Sequence, residues 1–342
     1  MTEFFNKIDG SKLNDVTDVK YYKSINWNMA EDVLDKMTWE KLNMQYWSDT
    51  RIPVSNDRKD WREMSESEQD VVNKALAGLT MLDTLQSEEG ASKVSDFAHT
   101  QQEKAVMKNI EFMESMHAKS YSTVFTSLNN KAKVDSIFEW ADGNEFLQNK
   151  ARIINELYQT GDELTVRTAS VFLESFLFYS GFFIPLYHLG NGKLVNTAEI
   201  IRLIIRDEAV HGSYIGAKAA KKINKLSDVD RENYTTWAYM TLMELYENEI
   251  AYTHYVYDQV GLADEVIKFV EYNANKALMN LGLEPIFPTT ANDVNPIIMN
   301  GISVSTASFD FFSQVGNGYL MGNAEAMEDE DYTKFAQAKI SK

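Results

Sequence analysis

The chain contains the same pattern twice: an isolated carboxylate followed, about 30 residues later, by a Glu-x-x-His motif. These are side chains that bind metal ions, and both patterns lie in predicted helices. A Glu-x-x-His motif spans Glu114–His117, and a second one spans Glu208–His211. An isolated carboxylate precedes each motif, Asp83 by 31 residues and Glu174 by 34 residues. At a spacing of three, both side chains of a motif lie on one helix face and can reach one metal ion. The repeat therefore predicts four helices that direct four carboxylates and two imidazoles to one centre.

Proline and glycine are too sparse to interrupt long helices. The chain has 5 prolines and 16 glycines, and apolar residues recur at helical spacing between them. Ser65 followed by Glu68 predicts a capping box at one helix start. Alternating strand patterns are nearly absent, so the predicted fold class is all-α. The predicted helices cover 29–46, Ser65 into the late 80s, 102–129, 133–159, 162–188, 196–223, 227–260 and 263–282.

One predicted helix is apolar on almost every side. Residues 169–179 contain one charged residue, Glu174, in a mostly apolar stretch. A helix without a polar face lies at the centre of a bundle rather than on its outside. Burying an isolated carboxylate is costly unless it is paired or binds a metal. The position of Glu174 therefore indicates a polar or metal site inside the core.

Composition and charge exclude several classes of function. A net charge of −18 disfavours nucleic-acid binding, which needs clustered lysine and arginine. The absence of cysteine excludes disulfides, cysteine-ligated zinc, iron–sulfur clusters and thiol catalysis within this chain. No apolar run approaches the roughly 18–20 residues of a membrane span, and Met1-Thr2-Glu3 lacks a basic signal region. We expect an acidic, soluble protein of the cytoplasm that contacts neither membrane nor nucleic acid.

The combined pattern predicts a ferritin-like helical bundle with a dinuclear metal site. Four carboxylates and two histidines match the di-iron or di-manganese carboxylate arrangement of such bundles. Taken alone, each motif also fits a solvated pair or a capped histidine, and Glu174 also fits an ion pair with Arg167. The repeat of the whole pattern favours the metal site. The remaining histidines lack this setting and are expected to be structural or exposed: His99, His188 and His254.

A tyrosine distinguishes the two halves of the repeat. Tyr121 lies four residues after His117 and shares its face, whereas the second half has Ile215 at the equivalent position. A phenol beside a redox-capable metal pair can be oxidised to a phenoxyl radical if solvent is excluded. The alternative is a tyrosine that hydrogen-bonds Asp83 and does nothing else, and position alone leaves both open. Three residues on neighbouring helices are predicted to form the dry wall: Phe178, Phe182 and Ile204.

These residues lie in stretches that resemble a known family. The chain resembles the small, radical-generating subunit of class I ribonucleotide reductase, and most closely the class Ib branch. The similarity runs from about Tyr22 to Tyr332 and implies three regions: an N-terminal extension (1–22), a ferritin-like helical domain (23–322) and a flexible acidic tail (323–342). The stretches that carry it are 79–84, 112–121, 171–181, 205–212 and 272–282.

The resemblance implies a role for each matching residue. Tyr121 matches the radical tyrosine, and Asp207 matches the aspartate that accepts a hydrogen bond from a ligand histidine, here His117. Trp47 matches the tryptophan that continues the radical path, and Tyr332 matches the tail residue that passes it to the partner. The apolar pocket of the radical corresponds to Phe178, Phe182 and Ile204. The implied metal ligands are Asp83, Glu114, His117, Glu174, Glu208 and His211.

The resemblance also implies cofactors and partners. They are two Mn or two Fe ions per chain, a tyrosyl radical on Tyr121, a second copy of the chain in a homodimer, a large subunit with the catalytic thiols, and a flavodoxin-like activator. The implied reaction is the reduction of ribonucleoside diphosphates to deoxyribonucleotides. Two alternatives use the same bundle: an oxidase or oxygenase acting on a lipid or hydrocarbon, and a metal-storage protein. Neither explains Trp47, Asp207 or the acidic tail.

Overall fold

The computed structural model describes residues 24–307, with side chains described for 24–302. Within this range the chain is mostly helical and contains no strand, which confirms the all-α prediction. The predicted extension, the acidic tail and Tyr332 lie outside the described residues. The helices are α1 (Val33–Met44), α2 (Arg58–Glu63), α3 (Glu66–Leu85), α4 (Ala91–Asp96), α5 (Gln101–Leu128), α6 (Lys131–Gly143), α7 (Glu145–Thr160), α8 (Glu163–Phe172), α9 (Tyr179–Gly190), α10 (Val195–Ile223), α11 (Asp228–Tyr257), α12 (Ala263–Asn280) and α13 (Pro296–Ala307).

Two helical hairpins form the centre of the bundle. The first hairpin packs α3 against α5, and the second packs α8 and α9 against α10. The hairpins meet through contacts of α3 with α9 and of α5 with α10. Outer helices cover this centre: α7 packs on α8, α12 packs on α9 and α10, and α11 packs on α7 and α12. The helices that carry the repeated carboxylate and Glu-x-x-His features are therefore mutual neighbours.

The apolar helix predicted for the centre lies there. α8, a π-helical segment at Leu173–Leu177 and α9 form one continuous, strongly apolar helix over Glu163–Gly190. By length and composition alone, this helix could cross a membrane, so the sequence prediction that no apolar run approaches that length is wrong. Its most apolar stretch is entirely buried inside the bundle, under α3, α10 and α12. Its apolar composition is therefore explained by its place in the core.

Local signals determine where several helices begin. The predicted capping box is present: Ser65 Oγ accepts from the Glu68 amide at 3.2 Å, and the Glu68 carboxylate accepts from the Ser65 amide at 2.8 Å. The prediction of a single helix over 133–159 is wrong, because the chain forms two helices there, α6 and α7, which meet at Asn144. The Asn144 side chain accepts from the Leu147 amide at 3.0 Å and caps α7, and its backbone is extended. Asparagine favours such a cap over a helix interior.

Close packing of the two hairpins depends on Gly181 in α9. A Cβ at this position would lie 2.6 Å from Leu79 Cγ of α3. We expect Gly181→Ala to destabilise the protein by about 1–3 kcal/mol, because the buried leucine must move. Urea unfolding followed by circular dichroism would measure the change. Gly143→Ala is the matched control, because nothing lies within 4 Å of its Cβ position; a loss of stability as large there would refute the packing explanation.

Candidate metal centre

The six residues predicted to bind metal converge in the core. α3 supplies Asp83, the π-helical segment at Leu173–Leu177 supplies Glu174, and each Glu-x-x-His motif lies within one long helix, α5 or α10. Every one of these side chains has no solvent exposure. The predicted convergence of the two halves is thus what the packed bundle presents. The converging residues are Asp83, Glu114, His117, Glu174, Glu208 and His211.

The cluster divides into two sets of four ligands that share two members. Within each set, one nitrogen or oxygen atom per residue lies within 4.8 Å of the others. One set adds Asp83 and His117 to the shared pair, and the other adds Glu174 and His211. The shared pair is Glu114 and Glu208, the glutamates of the two motifs. If the two sets held one ion each, Glu114 and Glu208 would be the residues available to both ions.

Each histidine faces the glutamate of the opposite motif more closely than its own. His211 Nδ1 lies 2.7 Å from Glu114 Oε1, and His117 Nδ1 lies 3.0 Å from Glu208 Oε1. Within each motif, the histidine Nδ1 is 3.4 Å from a glutamate oxygen. The imidazole rings are roughly parallel, with centroids 6.1 Å apart. These cross-motif contacts tie the two hairpins together at the cluster.

The donor atoms fit a pair of divalent cations. Seven carboxylate oxygens of the cluster are buried and have no hydrogen-bond partner within the described part of the chain. The Nδ1 atoms of His117 and His211 are likewise without one. Buried carboxylates are strongly unfavourable without compensating charge. Two divalent ions would balance the four carboxylates, and this mixture of oxygen and imidazole donors suits manganese or iron.

Protons compensate the buried charge in the protein itself. Burial raises the pKa of Asp83 and Glu174 well above the usual range, and the charge of Glu114 adds to this effect. Burial would also raise the pKa of Glu208, but its close polar contacts with Glu174 and the two histidines outweigh burial and lower that pKa. Burial alone would lower the pKa of both imidazoles, yet the surrounding carboxylates raise it well above normal. Metal binding must therefore displace protons from this cluster.

Tyr121 lies at the predicted edge of the cluster. Its side chain is fully buried, and its hydroxyl has no hydrogen-bond partner among the described residues. Burial raises the pKa of the phenol well above normal, and the charges of Asp83 and Glu208 raise it further. The phenol is therefore protonated at rest. The three predicted wall residues belong to the same core and have no solvent exposure: Phe178, Phe182 and Ile204.

A hydrogen-bonded chain connects the cluster with the segment after α1. Trp47 Nε1 donates to Asp207 Oδ2 at 2.7 Å, and His117 Nε2 lies 3.2 Å from the same oxygen. The Trp47 and His117 rings are stacked, with centroids 6.0 Å apart. Gln45 Nε2 donates to Asp207 Oδ1 at 2.7 Å. The aspartate is therefore placed to orient His117, the contact that the family resemblance implies, and Gln45 is placed to orient the aspartate.

The sequence interpretation assigned no role to a second polar group beside the cluster. Gln86, Tyr158 and Ser170 form a buried hydrogen-bonded group next to Glu174. The sequence contained one signal for this group, because Gln86 lies one helical turn after Asp83 and so shares its inward face.

The other histidines lie apart from the cluster. His99 and His254 are exposed beside Glu163 and Asp258, whereas His188 is buried, which lowers its pKa to about 4.

Fold and site together define a class of protein. Four carboxylates and two histidines from facing helices of a bundle are typical of dinuclear-metal carboxylate proteins with a ferritin-like fold. The family model of the ribonucleotide reductase small chain matches residues 24–296. The chain is 47% identical over 310 residues to the ribonucleoside-diphosphate reductase 2 subunit beta of Escherichia coli, covering 90% of this chain and 97% of the relative.

Other relatives agree. The ribonucleoside-diphosphate reductase subunit beta of Mycobacterium leprae is 46% identical to this chain in sequence. The match covers 90% of this chain and 95% of the Mycobacterium protein. In sequence, the chain is 59% identical to dimanganese(II)-NrdF from Streptococcus sanguinis, whose crystal structure is known. The two structures superpose with a TM-score of 0.82, and the match covers 82% of this chain and 100% of the Streptococcus chain. The R2 subunit of Clostridium botulinum, 22% identical with a TM-score of 0.72 over 83% of this chain and 91% of its own, shows the fold alone.

The chain therefore belongs to the ribonucleotide reductase small-chain family, as a class Ib-like beta subunit of ribonucleoside-diphosphate reductase. A small subunit implies a large catalytic subunit as partner. The resemblance stated from the sequence is confirmed.

Proposed function

We propose that the cluster holds two manganese or two iron ions and that the pair generates a radical on Tyr121. The observation that carries this proposal is the sharing of Glu114 and Glu208 by two four-ligand sets. Sharing of this kind suits two ions held close together. The description of the 59% identical Streptococcus sanguinis protein as dimanganese(II) supports manganese. The proposed ligands are Asp83, Glu114, His117, Glu174, Glu208 and His211.

Tyr121 is the proposed site of the stored radical. When bound, the metal pair supplies the oxidising power for removal of one electron from the phenol. The raised pKa of Tyr121 keeps its proton in place at rest, so oxidation must release a proton together with the electron. Full burial of the ring keeps water and reductants away. Phe178, Phe182 and Ile204 are proposed to extend this apolar surrounding and to lengthen the life of the radical.

The oxidising equivalent is proposed to leave the core through the chain of His117, Asp207 and Trp47. The hydrogen bonds to Asp207 Oδ2 and the stacking of the two rings support this path, because they form one connected buried route. Tyr332, outside the described residues, is proposed to receive the equivalent and pass it to a cysteine of the large subunit. There it starts the reduction of ribonucleoside diphosphates.

The proposed assembly is a cytoplasmic homodimer that docks on the large subunit. We assign the helical domain to 23–322, an extension to 1–22, and the docking role to the acidic tail, 323–342, whose run Glu328–Asp331 carries negative charge. A flavodoxin-like protein is the proposed source of oxidant when manganese is bound. The class Ib resemblance supports the activator, and the beta-subunit identity supports the docking.

One experiment tests radical generation and docking together. The full chain and a chain lacking 323–342 are loaded with Fe and O₂, or with Mn and the flavodoxin-like activator. We expect both chains to give a tyrosyl radical by electron paramagnetic resonance (EPR), because the cluster is distant in sequence from the tail. Only the full chain should support turnover with the large subunit. No radical with either metal would refute the site proposal, and normal turnover by the shortened chain would refute the docking role.

A further inference from the structure

A buried glutamine bridges the metal cluster to a tyrosine on α7. Gln86 Nε2 donates to Glu174 Oε1 at 2.5 Å and to Ser170 Oγ at 2.9 Å. Its Oε1 accepts from the Tyr158 hydroxyl at 2.6 Å. Gln86 and Ser170 have no solvent exposure, and Tyr158 has 2%. Each polar atom of the Gln86 amide thus has a partner inside the core.

The Glu174 carboxylate and the Tyr158 hydroxyl together determine which way the Gln86 amide faces. When Glu174 is ionised as a metal ligand, a reversed amide would turn its carbonyl oxygen towards the carboxylate, and two acceptors would meet without a proton between them. The Tyr158 hydroxyl can donate to the carbonyl oxygen, which leaves the amide nitrogen to donate to Glu174. Burial raises the pKa of Tyr158 well above normal, and the charge of Glu174 adds to it, so the donor proton is retained.

Among the hydrogen bonds of the described residues, the one from Gln86 to Glu174 is the one that reaches a clustered carboxylate from an amide outside the cluster. Both oxygens of Asp83, Glu114 and Glu208 are without a hydrogen-bond partner in the described chain, whereas for Glu174 this is true only of Oε2. That oxygen faces the cluster, 3.4 Å from His211 Nδ1. One oxygen of Glu174 is therefore held by Gln86 and the other is directed at the metal site.

The backbone is shaped for this contact on both sides. Gln86 begins a π-helical segment that ends at Gly90, and Glu174 lies in the π-helical segment between α8 and α9. π-Helical turns inside α-helices often occur at functional sites. A Cβ at Gly90 would lie 2.0 Å from Gln86 Oε1 and 2.8 Å from the Tyr158 ring. Glycine at this position is what allows Tyr158 to reach the amide.

We propose that Gln86 is a positioning residue that holds Glu174 as a one-oxygen ligand, with Tyr158 orienting the amide. This inference rests on the proposed metal site. It makes the two ions unequal, because no amide of the described residues donates to the matching carboxylate Asp83, which has the Tyr121 phenol as its neighbour. The residue one turn after Glu174 is Leu177. Without Gln86, Glu174 can rotate and present both oxygens to the metal.

The test is Gln86→Leu, read out on the manganese-loaded protein before activation. We expect two Mn ions per chain to bind still, with the affinity of the weaker one reduced about tenfold or more, since loss of a partner of a ligand has effects of this size. The EPR spectrum of the Mn(II) pair should also change, because the coordination of Glu174 changes. Gln102→Leu is the matched control. Gln102 is also buried and donates to the Asn26 carbonyl at 2.9 Å, away from the cluster.

Tyr158→Phe supplies an independent variant that keeps Gln86. We expect a smaller shift of the same spectrum, and this variant decides the question if Gln86→Leu fails to fold. Wild-type affinity and spectrum in a folded Gln86→Leu chain, or in Tyr158→Phe where Gln86→Leu does not fold, would overturn the positioning role. A change as large in Gln102→Leu would overturn it as well. A wild-type chain that binds fewer than two Mn ions would instead refute the proposed metal site.

Discussion

Replacing Tyr121 with phenylalanine is expected to abolish the radical signal while leaving the fold and the metal content unchanged. Phenylalanine fills nearly the same buried volume, and the Tyr121 hydroxyl has no hydrogen-bond partner to lose among the described residues. Without the hydroxyl, the ring cannot give up a proton with its electron. We expect turnover with the large subunit to fall by about a thousandfold or more, as for loss of an essential group. EPR, metal analysis and turnover measure the three effects.

Tyr257→Phe is the matched control for this experiment. Tyr257 is also fully buried, and its hydroxyl donates to the Ser180 carbonyl at 2.5 Å. Loss of that bond should cost about 1 kcal/mol of stability, with the radical preserved. Nucleotide reduction retained in Tyr121→Phe would refute the assignment. A lost radical in Tyr257→Phe would show that EPR does not single out one tyrosine.

Replacing His211 with alanine is expected to remove at least one of the two metal ions. His211 Nδ1 lies 2.7 Å from Glu114 Oε1 and 3.4 Å from the nearest oxygens of Glu174 and Glu208, so it belongs to the ligand set that lacks Asp83. Without this imidazole, the set keeps only three ligand residues and no nitrogen donor, so an ion is bound more weakly there. Metal analysis should fall from two ions per chain to one or fewer, and the radical should disappear.

His254→Ala is the control for loss of a histidine. His254 lies at the protein surface beside Asp258, at 2.9 Å, so its removal should leave metal content unchanged. Unchanged occupancy and spectra in His211→Ala would exclude His211 as a ligand. Equal losses in the two variants would attribute the effect to something other than the cluster.

Much of the site was predictable because its spacing is local. Glu114 and His117 share one helix face whatever the rest of the fold does, and so do Glu208 and His211. The isolated carboxylate Glu174 in an apolar helix indicated the centre, since burial without compensation would be too costly. The convergence of the two halves then followed from their repetition.

The rest depends on how the helices are placed relative to one another. The packing of α5 against α10 decides which glutamates belong to both ligand sets. The spacing of residues within either helix alone cannot predict this. The contact of Gln86 with Glu174 needs two π-helical turns, and helical periodicity of 3.6 residues does not reveal them. The sequence did not predict the break at Asn144, because apolar positions continue across it. A single side-chain cap, from Asn144 to the Leu147 amide, ends one helix and begins the next.

The buried central helix over Glu163–Gly190 has a consequence for how the protein is made. A ribosome releases this segment before α10 and α12, the helices that cover much of it, have been synthesised. For that interval the nascent chain exposes a stretch as hydrophobic as a bilayer-crossing one, prone to aggregation and to capture by the insertion machinery. To avoid aggregation and capture, this segment depends on prompt synthesis of roughly the next hundred residues, or on a chaperone that covers it until they fold.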